Sequence, residues 1–222
     1  MINGINHIFS LLALILSFLP LLLFWTKKLA PDKTYLLIAI FWAANGIENA
    51  PAYFHWHWYE VLVNQIIIYV NLLDAPLILL IFYFNFRKKI FLNILYGFII
   101  LEAVVIAWKG LNVGSIKMLA VLGGLTILPV NGWFIYRYIK NMSHSARDNV
   151  MVFTCIGFIF YYCLFFEITF VYGYLRSTYS PIQYELFSPY GMFICYMAIF
   201  LSTLLVSYGL WKYALPGKRI NN

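Results

Sequence analysis

Four of the eight acidic residues in this sequence lie inside long apolar segments, where an ionised carboxylate is costly. They are Glu48, Asp74, Glu102 and Glu167. A carboxylate at such a depth turns toward other helices, finds a partner or takes up a proton, so all four are candidates for binding a ligand or a cation. The residues alone leave one alternative open, which is a set of neutral, hydrogen-bonded structural acids.

Amide side chains accompany two of these acids at helical spacing. Asn45, Glu48 and Asn49 follow the i, i+3, i+4 pattern, which places them on one stripe of a helix. Asn71 and Asp74 are three residues apart and share a helix face in the same way. Because a polar stripe in a lipid-embedded helix must face other helices or water, the pattern predicts a polar pocket between helices.

Two histidines offer a metal-binding alternative. His55 and His57 could join Glu48 or Glu60 around zinc or iron, because imidazole and carboxylate groups suit these metals. An i, i+2 pair points in opposed directions on a helix, however, and such pairs at a membrane interface commonly serve as amphipathic anchors. Apart from such a metal, no cofactor is expected.

The composition requires a membrane environment for these residues. Of the 222 residues, 64% are hydrophobic and 10% are charged, against roughly 25% charged in ordinary soluble domains. A transmembrane helix needs about 20 mostly apolar residues, and seven segments qualify. The predicted spans are Asn6–Trp25, Thr34–Phe54, Val61–Phe84, Ile90–Trp108, Ile116–Tyr138, Asn149–Leu175 and Leu186–Tyr213. The sequence therefore predicts one all-α membrane domain over residues 1–222, a bundle of seven transmembrane helices.

The distribution of Lys and Arg predicts the orientation of this bundle. The first, third and fifth links and the C-terminal tail carry the basic residues Lys27, Lys28, Lys33, Arg87, Lys88, Lys89, Arg137, Lys140, Arg147, Lys212, Lys218 and Arg219. The other links carry Lys109, Lys117 and Arg176. Because Lys and Arg prefer cytoplasmic links, we expect the N-terminus outside and the C-terminus in the cytoplasm, in a bacterial inner (plasma) membrane.

This orientation places three of the acids in one layer. Glu48, Glu102 and Glu167 precede the outer ends of their spans by six to eight residues. At 1.5 Å per residue they lie roughly 9–12 Å below the outer boundary, and Asp74 lies deeper, near the midplane. We therefore expect the polar pocket to open outward between the second, third, fourth and sixth spans.

One of these segments contains a short stretch that is similar to part of a known family. Residues 74–80, DAPLILL, are similar to the third helix of microbial rhodopsins, in which an apolar run follows a proline. The resemblance covers fewer than ten residues. A retinal Schiff base needs a lysine in the middle of the seventh helix, and none occurs between Leu186 and Trp211, so retinal is not expected. The last span also lacks the histidines of seven-helix zinc hydrolases related to ceramidases.

Three functions remain open at this point. We expect a polytopic protein that binds or senses a small ligand in the acidic pocket. The alternatives are a proton- or cation-coupled transporter or channel, and an intramembrane enzyme acting on a lipid or isoprenoid substrate through carboxylates as general acid and base. No motif names a reaction, so the sequence does not decide whether the protein is an enzyme.

The expected partners follow from the charge pattern and the short links. The net charge of +7 arises from basic clusters between apolar runs, which favours anchoring in the lipid bilayer and excludes a nucleic-acid site. A small molecule or ion is the expected ligand. The links are too short to hold an output domain, so sensing would need a separate membrane or cytoplasmic protein partner.

Overall fold

The chain folds into α-helices joined by short links. The computed structural model describes residues 2–27, 32–54, 60–141, 144–178 and 181–214. The helices are α1 (Ile2–Ser17), α2 (Leu19–Thr26), α3 (Lys33–Phe54), α4 (Glu60–Phe86), α5 (Lys89–Lys109), α6 (Val113–Lys140), α7 (Ala146–Thr178) and α8 (Pro181–Tyr213). No β-strand occurs within these described ranges, and the prediction of an all-α chain is confirmed for them.

Several of these helices have the dimensions and composition of membrane spans. Among the described residues, five segments are long and apolar enough to cross a bilayer: Gly4–Thr26, Ile68–Phe86, Lys89–Lys109, Gly114–Lys140 and Tyr190–Tyr213. They indicate a membrane protein, as the composition predicts. Helices α3 and α7 have 22 and 33 residues, enough at 1.5 Å per residue for a hydrocarbon core of about 30 Å.

The first predicted span consists of two helices that meet at Phe18. Pro20, in the first turn of α2, has no N–H to donate to the carbonyl of Leu16, so the regular helical ladder is interrupted there. Gly46 of α3 lies against this break, since a Cβ at Gly46 would come within 2.9 Å of the Phe18 ring. The absence of a side chain at Gly46 therefore allows α3 to pack closely on the junction of α1 and α2.

The link predicted between Arg176 and Glu185 is shorter than expected. Helix α7 continues to Thr178 and α8 begins at Pro181, so most of this segment is helical. A proline is compatible with the first position of a helix, because the N–H that it lacks has no intrahelical partner there. Pro181 therefore starts α8, whereas the sequence analysis placed it in a loop.

The helices form a ring with one helix outside it. Going around the ring, α1 contacts α3, α3 contacts α4, α4 contacts α6, α6 contacts α7, α7 contacts α8, and α8 returns to α1. Helix α5 packs on α4 and α6 from the outside. Most of its surface is exposed, including Ile100 and Val104, which suits contact with lipid. The ring therefore surrounds an interior, and α5 packs against the outside of the ring with its buried face only.

The centre of the ring is filled by aromatic side chains of α3 and α7. Trp42 and Phe158 are fully buried and stack with ring centroids 6.2 Å apart. Phe41 meets Phe158 edge-to-face at 5.0 Å. Such geometry adds to the dispersion energy of a close-packed core. These rings therefore hold α3 and α7 together across the interior.

Basic residues collect at one end of the bundle, which we call the basic end. Those that the structure describes are Lys27, Lys33, Arg87, Lys88, Lys89, Arg137, Lys140, Arg147 and Lys212. Contacts between helix ends establish the grouping: Lys33 Nζ lies 5.2 Å from the Phe84 ring centroid, and Lys27 Nζ donates to the Trp211 carbonyl. At the opposite end, α5 finishes and α6 starts with Lys109 and Lys117 nearby.

Candidate functional site

The candidate site is built around Asp74, near the middle of α4. Twelve residues separate Asp74 from the end of α4 at Phe86, a rise of roughly 18 Å. Pro76 follows within the same helix and has no N–H for the carbonyl of Leu72, which leaves that carbonyl without its usual helical donor. The buried Asp74 therefore lies within one turn of a break in the backbone hydrogen bonding of α4. This helix packs against α3, α5 and α6.

Side chains of α3, α4 and α7 are joined by hydrogen bonds beside Asp74. Asn71 Nδ2 donates to Glu48 Oε1 at 2.8 Å, which links α4 to α3. Tyr161 Oη donates to Asn45 Oδ1 at 2.8 Å, which links α7 to α3. Asn45 is fully buried, and its Nδ2 donates to the Phe41 carbonyl at 3.0 Å. These hydrogen bonds therefore connect the three helices around Asp74.

Asp74 itself is only partly satisfied by this network. It interacts with the Asn45 side chain, and it is close enough to Glu48 for the charges of the two carboxylates to interact. Its Oδ1 is buried and has no hydrogen-bond partner among the described residues. A buried polar atom without a partner costs about 1–3 kcal/mol, so this oxygen is a candidate ligand for a bound species.

A small cavity lies next to Asp74. The residues that line it are Asn71, Asp74, Ala75, Leu119, Ala120, Gly123, Tyr161 and Tyr162. The space open to the centre of a water molecule is about 10 Å³. A cavity needs roughly 10–15 Å³ by this measure to hold one water molecule. The cavity therefore accommodates one water molecule or one small ion, and a drug-sized ligand needs far more space.

The small residues of α4 and α6 make room for this cavity. A Cβ at Gly123 would lie 3.1 Å from the Ala75 Cβ and 3.4 Å from Phe98 Cζ. The contact between α4 and α6 is therefore as close as these two small residues allow. A larger side chain at either position would have to enter the space beside Asp74 or push α6 away from α4.

No cation of the protein neutralises the two carboxylates in the described part of the chain. The one ion pair found there joins Arg147 and Asp32 at the basic end. Unpaired carboxylates inside a bundle hold either a proton or a bound cation. Cavity size, carboxylate charge and neutral oxygen atoms together suit a small hard cation, which prefers oxygen ligands.

The structure brings together only some of the residues predicted from the sequence. Asn45, Glu48, Asn71 and Asp74 lie in one network. Glu102 lies on α5, outside the ring, half-buried and not among the residues that line the cavity. The side chains of Asn49 and Glu167 lie outside the described part of the structure. Their inclusion in the site stays a prediction.

The metal-binding alternative falls outside what the structure describes. His55 and His57 are both in the range that separates α3 from α4, residues 55–59. Elsewhere, among the described residues, no three His, Cys, Asp or Glu side chains come together as a metal site. The described lining of the Asp74 cavity has one carboxylate and the polar side chains of Asn71, Tyr161 and Tyr162, unlike the nitrogen- and sulfur-rich sites that transition metals favour.

Two tyrosines of α7 also lie at the site, and they are not among the candidate residues of the sequence analysis. Tyr161 and Tyr162 both line the cavity, and Tyr161 forms the bond to Asn45. A pair of phenols in the middle of an apolar helix was the available signal, since a buried tyrosine hydroxyl usually finds a polar partner. Eighteen tyrosines in the chain make that signal weak.

Comparison with protein families, curated protein sequences and solved structures gives no match to this chain. The function must therefore be inferred from the geometry of the site.

Proposed function

We propose that this protein binds a small monovalent cation, Na⁺ or one of similar size, in the intramembrane cavity beside Asp74. The observation that carries the proposal is the buried Asp74 Oδ1, which has no hydrogen-bond partner among the described residues and borders a cavity of about 10 Å³. A bound cation would supply the missing interaction and offset the cost of a buried charge. Protons would compete for the same carboxylate.

The surrounding residues have distinct roles in this proposal. Asp74 ligates the ion directly because it lines the cavity. Glu48 acts through Asn71, which it holds by a 2.8 Å hydrogen bond, and adds negative charge without lining the cavity. Since the network joins α3, α4 and α7, occupancy of the cavity would stabilise one arrangement of these helices. Cation binding could in this way be sensed by a partner protein.

The effect of Na⁺ on thermal stability tests the proposal. The purified chain in a neutral detergent is expected to unfold at a higher temperature in NaCl than in choline chloride of equal ionic strength. A cation present at about 100 times its Kd stabilises by about 2.7 kcal/mol, which corresponds to about 5–10 °C in a chain of this size. Asp74→Asn is expected to abolish the shift, and Glu48→Gln is expected to reduce it.

Glu102→Gln is the matched control for this experiment. It removes a carboxylate from another membrane helix without changing the cavity, so the full Na⁺ shift should remain. An equal shift in Asp74→Asn would contradict the proposed site. A chain whose stability changes with pH but not with Na⁺, K⁺ or Li⁺ would show that the carboxylate takes up a proton and that no cation binds.

We further propose seven membrane spans, with the N-terminus outside and the C-terminus in the cytoplasm of a bacterial inner membrane. The grouping of basic residues at one end of the bundle supports this, because Lys and Arg prefer the cytoplasmic side. The contact between Lys88 and Trp133 brings the ends of α4 and α5 to the end of α6. In this topology α1 and α2 together form the first span.

Thiol labelling tests the orientation. In a chain from which Cys155, Cys163 and Cys195 have been replaced, Lys109→Cys should react with a membrane-impermeant maleimide in intact cells. Lys140→Cys should react only after permeabilisation, because it lies at the basic end. The reverse pattern would overturn the orientation, and labelling of both positions from outside would overturn the number of spans.

A further inference from the structure

The basic end contains an open cleft that is separate from the Asp74 site. It is lined by Asp32, Lys33, Tyr83, Phe84, Arg87 and Arg147. The space open to the centre of a water molecule is about 610 Å³, within the range of pockets that hold whole small molecules. Its lining combines three cationic side chains, one carboxylate and two aromatic rings.

The one carboxylate in the described lining of the cleft, Asp32, forms an ion pair with Arg147. Arg147 Nη2 donates to Asp32 Oδ1 at 2.8 Å and to Thr34 Oγ1 at 2.6 Å. Asp32 Oδ1 also accepts from the backbone N–H of Thr34 at 2.9 Å, so it caps the start of α3. Arg147 and Asp32 therefore form one wall of the cleft, and among the described residues no carboxylate forms an ion pair with Lys33 or Arg87.

Arg87 has an unusual backbone conformation for its residue type. Its φ is +52°, and among the described residues it is the one non-glycine residue with a positive φ. Its N–H donates to the Tyr83 carbonyl at 2.6 Å and closes the end of α4. Glycine or asparagine is usual at such a position, because a larger side chain is strained there. An arginine that lines a cleft in spite of this cost points to a role for its guanidinium.

We propose that this cleft binds a phosphate group, presented by the headgroup of an anionic phospholipid. Arg87 and Lys33 would pair with the phosphate, since guanidinium and ammonium groups form charge-assisted hydrogen bonds with phosphate oxygens. Phe84 and Tyr83 provide an apolar surface beside these charges for the glycerol and the first methylenes of a lipid. The cleft lies at the start of α3 and the end of α4, which is the depth of a headgroup if both helices span the membrane in the topology proposed above, on which this inference rests.

Lipid titration followed by native mass spectrometry tests this proposal on the full chain in a neutral detergent. We expect phosphatidylglycerol to bind in preference to phosphatidylcholine. Arg87→Gly is the informative variant, because it removes the charge and relieves the strained backbone, and so it should not impair folding. It is expected to lower the affinity for phosphatidylglycerol about tenfold, the effect of losing one charge-assisted hydrogen bond.

Lys140→Gln serves as the control, since it removes one exposed positive charge from the basic end without altering the cleft. It should bind phosphatidylglycerol as tightly as the unchanged chain. Equal affinity of Arg87→Gly and the unchanged chain would overturn the proposal. It would also be overturned if inorganic phosphate stabilised the unchanged chain and not Arg87→Gly while phosphatidylglycerol showed no preference, because the ligand would then be a soluble phosphate compound.

Discussion

The Trp42→Ala variant is expected to lose about 3 kcal/mol of its free energy of unfolding, the lower end of the range for removal of a buried tryptophan. Trp42 is fully buried, stacks on Phe158 at 6.2 Å and meets Tyr161 edge-to-face at 5.8 Å. Lipid tails are as apolar as the core, so the loss comes from the cavity and the missing dispersion contacts. Reversible unfolding in mixed micelles with SDS measures the loss.

Two further variants separate packing from the mere removal of an aromatic ring. Trp42→Phe should cost clearly less than Trp42→Ala, because it keeps most of the volume and removes an indole N–H that is buried without a partner among the described residues. Trp108→Ala should cost little, since the Trp108 side chain is 73% exposed. Equal losses for Trp42→Ala and Trp108→Ala would show that the aromatic centre does not hold α3 to α7.

The Gly123→Val variant is expected to abolish the Na⁺-dependent rise in unfolding temperature and to destabilise the bundle by about 1–3 kcal/mol. A Cβ added at this position would lie only 3.1 Å from the Ala75 Cβ, so the methyl groups of valine must enter the cavity or push α6 away from α4. Either outcome removes the space beside Asp74. Thermal unfolding in NaCl and in choline chloride measures both effects in one experiment.

Gly132→Val is the control on the same helix. It carries the same change in helix propensity, but a Cβ at Gly132 meets nothing within 4 Å. It should therefore keep the Na⁺ effect and most of the stability. If Gly123→Val retained the full Na⁺ shift, the cavity between α4 and α6 would not be the binding site.

The helices themselves were predictable from the sequence, because runs of about 20 apolar residues have few alternatives in a membrane. Two places where the helices differ from the predicted spans are explained by the known effects of proline on a helix. Pro20 explains the break between α1 and α2, and Pro181 explains the early start of α8. Both prolines are visible in the sequence, but their consequence depends on whether the chain continues as a helix on either side.

The arrangement of the site was only partly predictable. The spacing of Asn45 with Glu48, and of Asn71 with Asp74, predicts two polar faces, and these faces do meet. Which helices are neighbours in the ring is decided by side-chain packing, which hydropathy does not report. The sequence analysis therefore grouped Glu102 with the other acids, whereas α5 packs outside the ring.

The contact between α1 and α8 constrains the order in which the bundle can assemble. Phe9 meets Phe193 at 5.2 Å and Phe200 at 5.8 Å, although the intervening helices separate these residues along the chain. During synthesis α1 enters the membrane before α8 exists, so its ring-facing surface must first be covered by lipid, by α3 or by an insertion factor. Closure of the ring is thus a long-range, late event, and helix pairs such as α3 and α4 can form without it.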